Sequence, residues 1–375
     1  MRPGIAERRL VKWTDEFPNL GELEQVGARG DQKADCELDR RHIFDKVERR
    51  NSLEQVLVTG ECDPGIECNE CGHQDEVSFA SCGEYSNEVV PSVAFGEDGE
   101  HAVIERLERG WDASDSLVCV GLDPEIERFP AQFAEQPSPI FQFNKAIIDA
   151  TADLVCAYKP QFAHYAAYEA EDQLERTIDY IHRSYPGIPV ILDSKRGDVG
   201  NTAERYAIEA FERYHADAVT VSPYLGGDSM EPFLKYEEKG VIILCRTSNP
   251  GAGDLQDLEI SGRRLFHIVA DLAARRWNTR GNCLLVVGAT YPRELAEVRE
   301  IVGNMPFLVP GVGAQGGDVA QAVQNGQTAA GAGLVMSSSR GILYASSGEN
   351  FASAAREVTM KLRDQINASR VRRAR

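Results

Sequence analysis

The stretch VILDSKRGDVGNTA, residues 190–203, begins as an apolar run and ends in a series of acidic and basic residues. Its apolar start is typical of a buried β-strand, and burying charge is costly unless the charge is paired or used. Side chains at i and i+2 of a strand point the same way, so Asp193 and Lys195 share one face and Ser194 faces away. We interpret the stretch as a strand that ends in functional charge, with Gly197 breaking it before the next helix.

Seven further apolar runs resemble this one, and each is followed by a segment with the spacing of an amphipathic helix. Their Val, Ile and Leu residues show little polar alternation, which is typical of parallel strands buried on both faces. Eight β/α units predict an α/β fold, a (β/α)8 TIM barrel, and leave a doubly wound open sheet as the alternative. The eight runs cover residues 117–123, 154–160, 188–195, 218–223, 240–247, 283–290, 306–313 and 332–339.

The first part of the chain differs in composition from the barrel region. Residues 1–95 are polar and acidic, without a sustained amphipathic period, and we expect a largely disordered N-terminal extension. The barrel domain is expected over residues 96–375. Zinc binding and free thiols are both open for a group of side chains in the extension that contains a single C-x-x-C pair. The group consists of Cys62, Cys68, Cys71, Cys82 and His73.

Composition excludes several classes of protein. The formal net charge of −19 argues against nucleic acid or an anionic membrane as a partner, because both favour basic surfaces. We find neither a run of about 18 apolar residues, as a membrane helix needs, nor the apolar centre of a signal peptide. The expected location is the cytoplasm. Four of the nine cysteines lie in apolar runs and are expected to be small buried side chains: Cys119, Cys156, Cys245 and Cys283.

Polar residues and glycines cluster where the apolar runs end. The active site of a (β/α)8 barrel lies at the carboxyl ends of its strands. For any one residue, a solvated strand end is the simpler interpretation, but the convergence of so many polar residues and glycines on one rim favours a functional site. These residues are Asp123, Lys159, Asp193, Lys195, Thr247, Ser248, Gly311, Gly313, Gln315 and Arg340.

The segment VPGVGAQGGDVAQAV, residues 309–323, is a glycine-rich loop that leads into a helix. Backbone N–H groups of such a loop can bind an anion, and Arg340 can bind phosphate oxygens in a bidentate way. Loops after strands 7 and 8 are the usual phosphate site of this fold. The sequence therefore predicts a phosphate-bearing substrate.

Four residues form a row of alternating charge in front of that substrate: Lys159, Asp193, Lys195 and Asp198. The alternative is a structural ladder of ion pairs that closes the barrel. Asp198 and Thr202 are four residues apart, so on a helix they would share a face.

DSKRGDVGNT, residues 193–202, has the D-x-K-x-x-D-x-x-x-T pattern and resembles the orotidine 5′-phosphate decarboxylase family. The supporting motifs VGLDP, AYKPQ, CRTSNPG, PGVGAQGGD and SSSRGI also resemble that family. The resemblance covers residues 97–368, and the sequence in this range is similar to that of the longer bacterial and archaeal subgroup of the family.

The resemblance implies roles for the residues that would act on the substrate. Lys195 would donate a proton to C6 of the pyrimidine, with Asp193 beside the departing carboxylate. Lys159 would hold Asp193 and reach the ribose. Asp198 and Thr202 would reach across a homodimer interface into the partner's site.

The remaining matched positions would bind the substrate. Asp123 would bind the ribose hydroxyls, and Ser248 would contact the pyrimidine edge. Gln315 and Arg340 would bind the phosphate beside the loop glycines Gly311 and Gly313.

The implied reaction is cofactor-free and metal-free decarboxylation of orotidine 5′-phosphate to UMP in pyrimidine biosynthesis, carried out by a carboxy-lyase. One alternative is a Mg²⁺-dependent sugar-phosphate decarboxylase or aldolase of the same superfamily. A second is a non-catalytic phosphate-binding barrel that acts as a sensor or scaffold.

Overall fold

Eight parallel strands form the centre of the computed structural model, which describes residues 102–312 and 317–371. Every apolar run predicted to be a strand overlaps one, with β3 extending one residue past its run, so the prediction of eight β/α units is confirmed. The strands are β1 Val118–Leu122, β2 Ala157–Pro160, β3 Ile191–Arg196, β4 Ala218–Val221, β5 Gly240–Arg246, β6 Cys283–Val287, β7 Phe307–Pro310 and β8 Leu334–Ser338.

The strands close on themselves almost completely. Hydrogen-bonded neighbours follow the order β2-β1-β8-β7-β6-β5-β4-β3. The two ends of this order, β2 and β3, meet through isolated parallel bridges that join Tyr158 to Val190 and Gln161 to Asp193. The fold is therefore the predicted barrel and not the open sheet. The division of the chain at residue 95 and the cysteine group of the N-terminal region lie outside the described residues.

Helices surround the barrel and connect its strands. A short antiparallel hairpin, Glu259–Ile260 with Arg263–Arg264, is inserted after β5. In the described part of the chain, no helix is long and apolar enough to cross a membrane. The helices are α1 Val103–Ala113, α2 Pro139–Thr151, α3 Phe162–Ala166, α4 Glu171–Ser184, α5 Gly200–Ile208, α6 Gly227–Leu234, α7 Gly253–Gln256, α8 Leu265–Leu272, α9 Pro292–Val302, α10 Val319–Gly326, α11 Arg340–Leu343 and α12 Phe351–Ser369.

Helix α1 packs at the amino ends of the strands, opposite the predicted site. Its residues Val103, Leu107 and Trp111 are buried, and the Val103 N–H donates to the Glu238 carbonyl over 3.0 Å. A β-carbon on Gly240, the first residue of β5, would lie 2.8 Å from Val103 Cγ1. The close approach of helix and strand therefore requires a glycine there.

The four cysteines of the apolar runs are buried free thiols, as predicted. Burial raises the pKa of the Cys119 and Cys245 thiols to about 12, which keeps them protonated. They act as small apolar side chains in the barrel.

Candidate active site

Three charged side chains from β2 and β3 meet at the carboxyl ends of these strands. Lys159 Nζ lies 3.1 Å from Asp193 Oδ2, and Lys195 Nζ lies 2.7 Å from Asp193 Oδ1. Lys159 and Asp193 are buried, whereas the Lys195 side chain is 47% exposed. The structure thus brings together three residues of the predicted row and leaves the Lys195 ammonium open to the barrel mouth.

The two lysines keep the central carboxylate ionised. Burial alone would raise the pKa of Asp193, but Lys159 and then Lys195 outweigh this effect and hold the pKa well below its usual range. Burial would likewise lower the pKa of Lys159, yet Asp123 and Asp193 raise it above its ordinary value. The site therefore holds one fixed negative charge between two ammonium groups.

Asp123 extends this group from the end of β1. Its Oδ1 lies 3.8 Å from Lys159 Nζ, and this buried oxygen accepts no hydrogen bond from any described residue. A buried carboxylate oxygen without a donor is unfavourable, so the position suits a ligand that brings hydroxyl groups.

Strand β3 is irregular where it carries the catalytic candidates. Leu192 pairs with Val219 and Arg196 with Val221, so β3 advances four residues while β4 advances two. Lys195 lies within this bulge and has a φ of +45°, which places its backbone in a region that residues other than glycine rarely adopt. Asp193 and Lys195 do approach each other as predicted, but through a bulge and not through a regular strand.

Thr220 in β4 is a contact that sequence reasoning missed. Its hydroxyl donates to Asp193 Oδ1 over 2.9 Å and accepts from the Lys195 backbone N–H, also over 2.9 Å. The available sequence signal was a threonine inside the apolar run AVTVSP. No charged residue within or directly after that run marked the strand end as functional.

Asp198 and Thr202 do not join the row within the chain. Asp198 Oδ1 accepts from the Val199 N–H over 2.8 Å, and the described residues include no ion pair between Asp198 and Lys195. Helix α5 begins at Gly200, so Asp198 precedes it, and the prediction of a shared helix face is wrong. The cause is the extended backbone of Val199 (φ −115°, ψ 153°), which separates Asp198 from the first turn. Thr202 is exposed in that turn.

The loop after β5 is held from below by the buried Arg246. The Arg246 guanidinium lies 3.9 Å from the Tyr291 ring centroid and donates to Gln256 Oε1 and Asp257 Oδ2. Gln256 in turn accepts a hydrogen bond from the Thr247 N–H through its Oε1 and donates one to the Thr247 hydroxyl through its Nε2. Sequence reasoning did not single out Arg246 or Gln256, because an arginine at a strand end gives no sign that it is buried.

Ser248 is half-buried on this loop beside the end of β6. A β-carbon on Gly288 would lie 2.7 Å from Ser248 Cβ, so the glycine allows the loop to approach β6. This contact places Ser248 at the same rim as the charged row.

The predicted phosphate end is described in part. Gly311 has a φ of +91°, and Arg340 is exposed at the first residue of α11. Ser339 Oγ beside it is buried and has no hydrogen-bond partner in the described part of the chain. Gly313 and Gln315 lie outside the described residues.

Across residues 102–312 and 317–371, no group of three or more His, Cys, Asp or Glu side chains is placed to hold a metal ion. The charged row instead supplies ammonium groups around a carboxylate. Such a row can stabilise negative charge that develops on a bound substrate and can donate a proton to it.

The fold and the rim residues define a (β/α)8 barrel protein with a lysine–aspartate–lysine row at the carboxyl ends of β2 and β3. A sequence profile described as "Orotidine 5'-phosphate decarboxylase / HUMPS family" matches residues 116–357. The chain belongs to this family.

Individual relatives agree with the profile. The chain is 60% identical over 264 residues to the orotidine 5′-phosphate decarboxylase of Azoarcus sp. (strain BH72), which covers 70% of this chain and 98% of the relative. The relative of the same name from Cellvibrio japonicus (strain Ueda107) is 61% identical over 269 residues, 71% of this chain and 98% of its own. A solved OMP decarboxylase from Leishmania donovani matches with a TM-score of 0.61 and 36% identity, over 71% of this chain and 99% of that chain.

Proposed function

We propose that this protein decarboxylates orotidine 5′-phosphate to UMP, a step of pyrimidine biosynthesis. The observation that carries the proposal is the Lys195 ammonium, which is open to the barrel mouth and lies 2.7 Å from an ionised, buried Asp193. The names of the Azoarcus and Cellvibrio relatives support the same activity. The cytoplasmic location expected from the sequence stays a prediction.

In the proposed reaction the bond between C6 and the carboxylate breaks. CO₂ leaves, and the electron pair of the broken bond remains on C6. That lone pair lies in the plane of the ring, so the ring π-system cannot accept it. The Lys195 ammonium stabilises the developing charge and gives a proton to C6, and the neutral amine regains a proton from water. Asp193, between Lys159 and Lys195, holds the ammonium in place. A role in repelling the substrate carboxylate would add to this effect.

The substrate-binding roles extend this proposal to the rest of the rim. Asp123, whose Oδ1 accepts no hydrogen bond from the described residues, would accept hydrogen bonds from the ribose hydroxyls, and Ser248 would contact the pyrimidine. Arg340 and Gln315 would bind the phosphate with the loop that includes Gly311 and Gly313. Binding energy from the phosphate would help to assemble the site, with the loop after β5 as a candidate for closure.

The test follows the ultraviolet absorbance of orotidine 5′-phosphate mixed with the full-length protein, with and without EDTA. We expect the absorbance to change at the same rate in both samples. Activity that EDTA abolishes would favour the Mg²⁺-dependent alternative. No turnover, with the substrate still bound, would favour the non-catalytic phosphate-binding barrel.

Arg340→Ala is expected to raise KM for orotidine 5′-phosphate by about 10- to 100-fold, because a charge-assisted pair of hydrogen bonds to phosphate is lost. Steady-state kinetics on the purified variant measure this effect. The matched control is Arg275→Ala, which removes a 78% exposed arginine from the helical segment directly after α8 (Ala273–Trp277). It should leave KM unchanged. An unchanged KM for Arg340→Ala would refute its role at the phosphate.

We also propose a homodimer in which Asp198 and Thr202 serve the partner's site. Three apolar side chains near Asp198 are exposed: Val199 by 54%, Tyr224 by 76% and Leu225 by 45%. The loops that carry them are adjacent, because the Ser222 N–H donates to the Arg196 carbonyl over 2.7 Å. An exposed apolar patch of this kind is typical of a protein interface.

Subunit mixing tests the shared site. Lys195→Ala and Asp198→Ala variants, each inactive alone, should regain up to about a quarter of wild-type activity when mixed, because half the subunits then pair as heterodimers with one intact site each. Activity is measured after exchange, and exchange is verified with differently tagged subunits. Complete exchange without recovered activity would remove the shared-site proposal.

A further inference from the structure

The hydroxyl of Thr220 connects the two β3 residues that the proposed reaction uses. Thr220 lies in β4 and is only 1% exposed. Its Oγ1 donates to Asp193 Oδ1 and accepts from the backbone N–H of Lys195, with both distances 2.9 Å. One buried hydroxyl therefore contacts the carboxylate of the row and the backbone of the proton donor.

The backbone of Lys195 depends on this contact. The bulge between Leu192 and Arg196 interrupts the regular pairing of β3 with β4, so the ladder does not supply a carbonyl for the Lys195 N–H. Unpaired backbone N–H groups inside a protein are unfavourable, and the Thr220 hydroxyl provides the missing acceptor. The contact also stabilises the left-handed conformation of Lys195, with its φ of +45°.

This conformation determines where the ammonium lies. In a regular strand, residues i and i+2 are about 6.5 Å apart along the axis, and a long side chain can point away from its neighbour. At the bulge, Lys195 Nζ instead lies 2.7 Å from Asp193 Oδ1. Because the Lys195 side chain is 47% exposed, packing on its outer side does little to hold it. Its backbone and Asp193 are the main restraints on the ammonium.

We propose that Thr220 is a positioning residue for the decarboxylation. Its hydroxyl fixes the Lys195 backbone in the left-handed conformation and the Asp193 carboxylate beside it, so that the ammonium meets C6 of the bound pyrimidine. The proposal rests on the proposed function, in which Lys195 is the proton donor.

Thr220→Val tests the hydroxyl, because valine keeps the shape of the buried side chain but neither donates nor accepts. We expect kcat to fall by about 10- to 100-fold with KM within about threefold of wild type, since the effect is on the geometry of the reacting groups. Thr220→Ser, which keeps the hydroxyl, should restore most of kcat. Thr359→Val removes another buried threonine hydroxyl, which donates to the Ala355 carbonyl in α12, and should leave both constants unchanged.

Hydrogen–deuterium exchange gives a second measurement that does not depend on activity. The Lys195 amide should exchange faster in Thr220→Val than in wild type or Thr220→Ser, because it loses its acceptor. Unchanged exchange at Lys195 in Thr220→Val would refute the hydrogen-bond role, even if the wild-type protein proved not to decarboxylate orotidine 5′-phosphate. Wild-type kcat in folded Thr220→Val, or an equal loss in Thr220→Ser, would overturn the positioning role.

Discussion

Lys195→Ala is expected to lower kcat/KM for orotidine 5′-phosphate by at least about 10⁴-fold, because it would remove both the proposed proton donor and the positive charge that the proposal places at C6. The Lys195 side chain is 47% exposed and contributes little to the core, so the variant should remain folded. Initial rates measured by ultraviolet absorbance give the effect on catalysis, and thermal unfolding shows whether the barrel is intact.

The matched control is Lys361→Ala, which removes an exposed lysine on α12 and should leave kcat/KM unchanged. Lys195→Arg keeps a positive charge but is a far weaker acid, so it should bind substrate and still turn over slowly. A Lys195→Ala protein that retained a substantial part of wild-type activity would exclude Lys195 as the proton donor.

Asp193→Asn is expected to lower kcat by about 100- to 1,000-fold, because the amide no longer holds two ammonium groups in place. Lys159 would remain buried with Asp123 Oδ1, at 3.8 Å, as its carboxylate neighbour. The pKa of Lys159 should therefore be lower in this variant than the raised value it has in the wild-type protein. Steady-state kinetics measure the first effect, and Asp153→Asn, at an exposed ion pair with Arg356, is the control.

The same variant should change how stability depends on pH. The pKa of Asp193 is lower in the folded protein than in the unfolded chain, so its ionised form stabilises the fold above about pH 4 and this contribution is lost as the pH falls. Thermal unfolding between about pH 2 and pH 7 should accordingly show a shallower loss of stability below about pH 4 for Asp193→Asn. An identical pH profile for the two proteins would mean that folding does not lower the pKa of Asp193.

Much of the architecture could be predicted from the sequence, because parallel strands buried on both faces leave a strong apolar signal. The chemistry of the strand ends was also visible, since charge at the end of a buried run needs a reason. The sequence thereby located Asp123, Lys159, Asp193 and Lys195, which the structure brings together.

Side chains that act through the three-dimensional packing were not predictable in this way. Thr220 has no charge and fits an apolar strand, so only the pairing of β3 with β4 reveals its two hydrogen bonds. Arg246 resembles any solvated arginine until its contacts with Tyr291 and Gln256 are known. That Asp198 lies before α5 was not predictable either, because the extended conformation of Val199 follows from tertiary structure and not from helix propensity.

The bulge in β3 has a consequence for protein design. Copying the letters D-S-K from this chain onto an evenly paired strand of another barrel would reproduce the composition of the site without its geometry. The recipient would also need the two extra residues on one strand and a hydroxyl on the neighbouring strand at the position of Thr220. The transferable unit is therefore a pair of strands with an offset register, and a graft of this pair is the smallest one that could carry the ammonium in the same place.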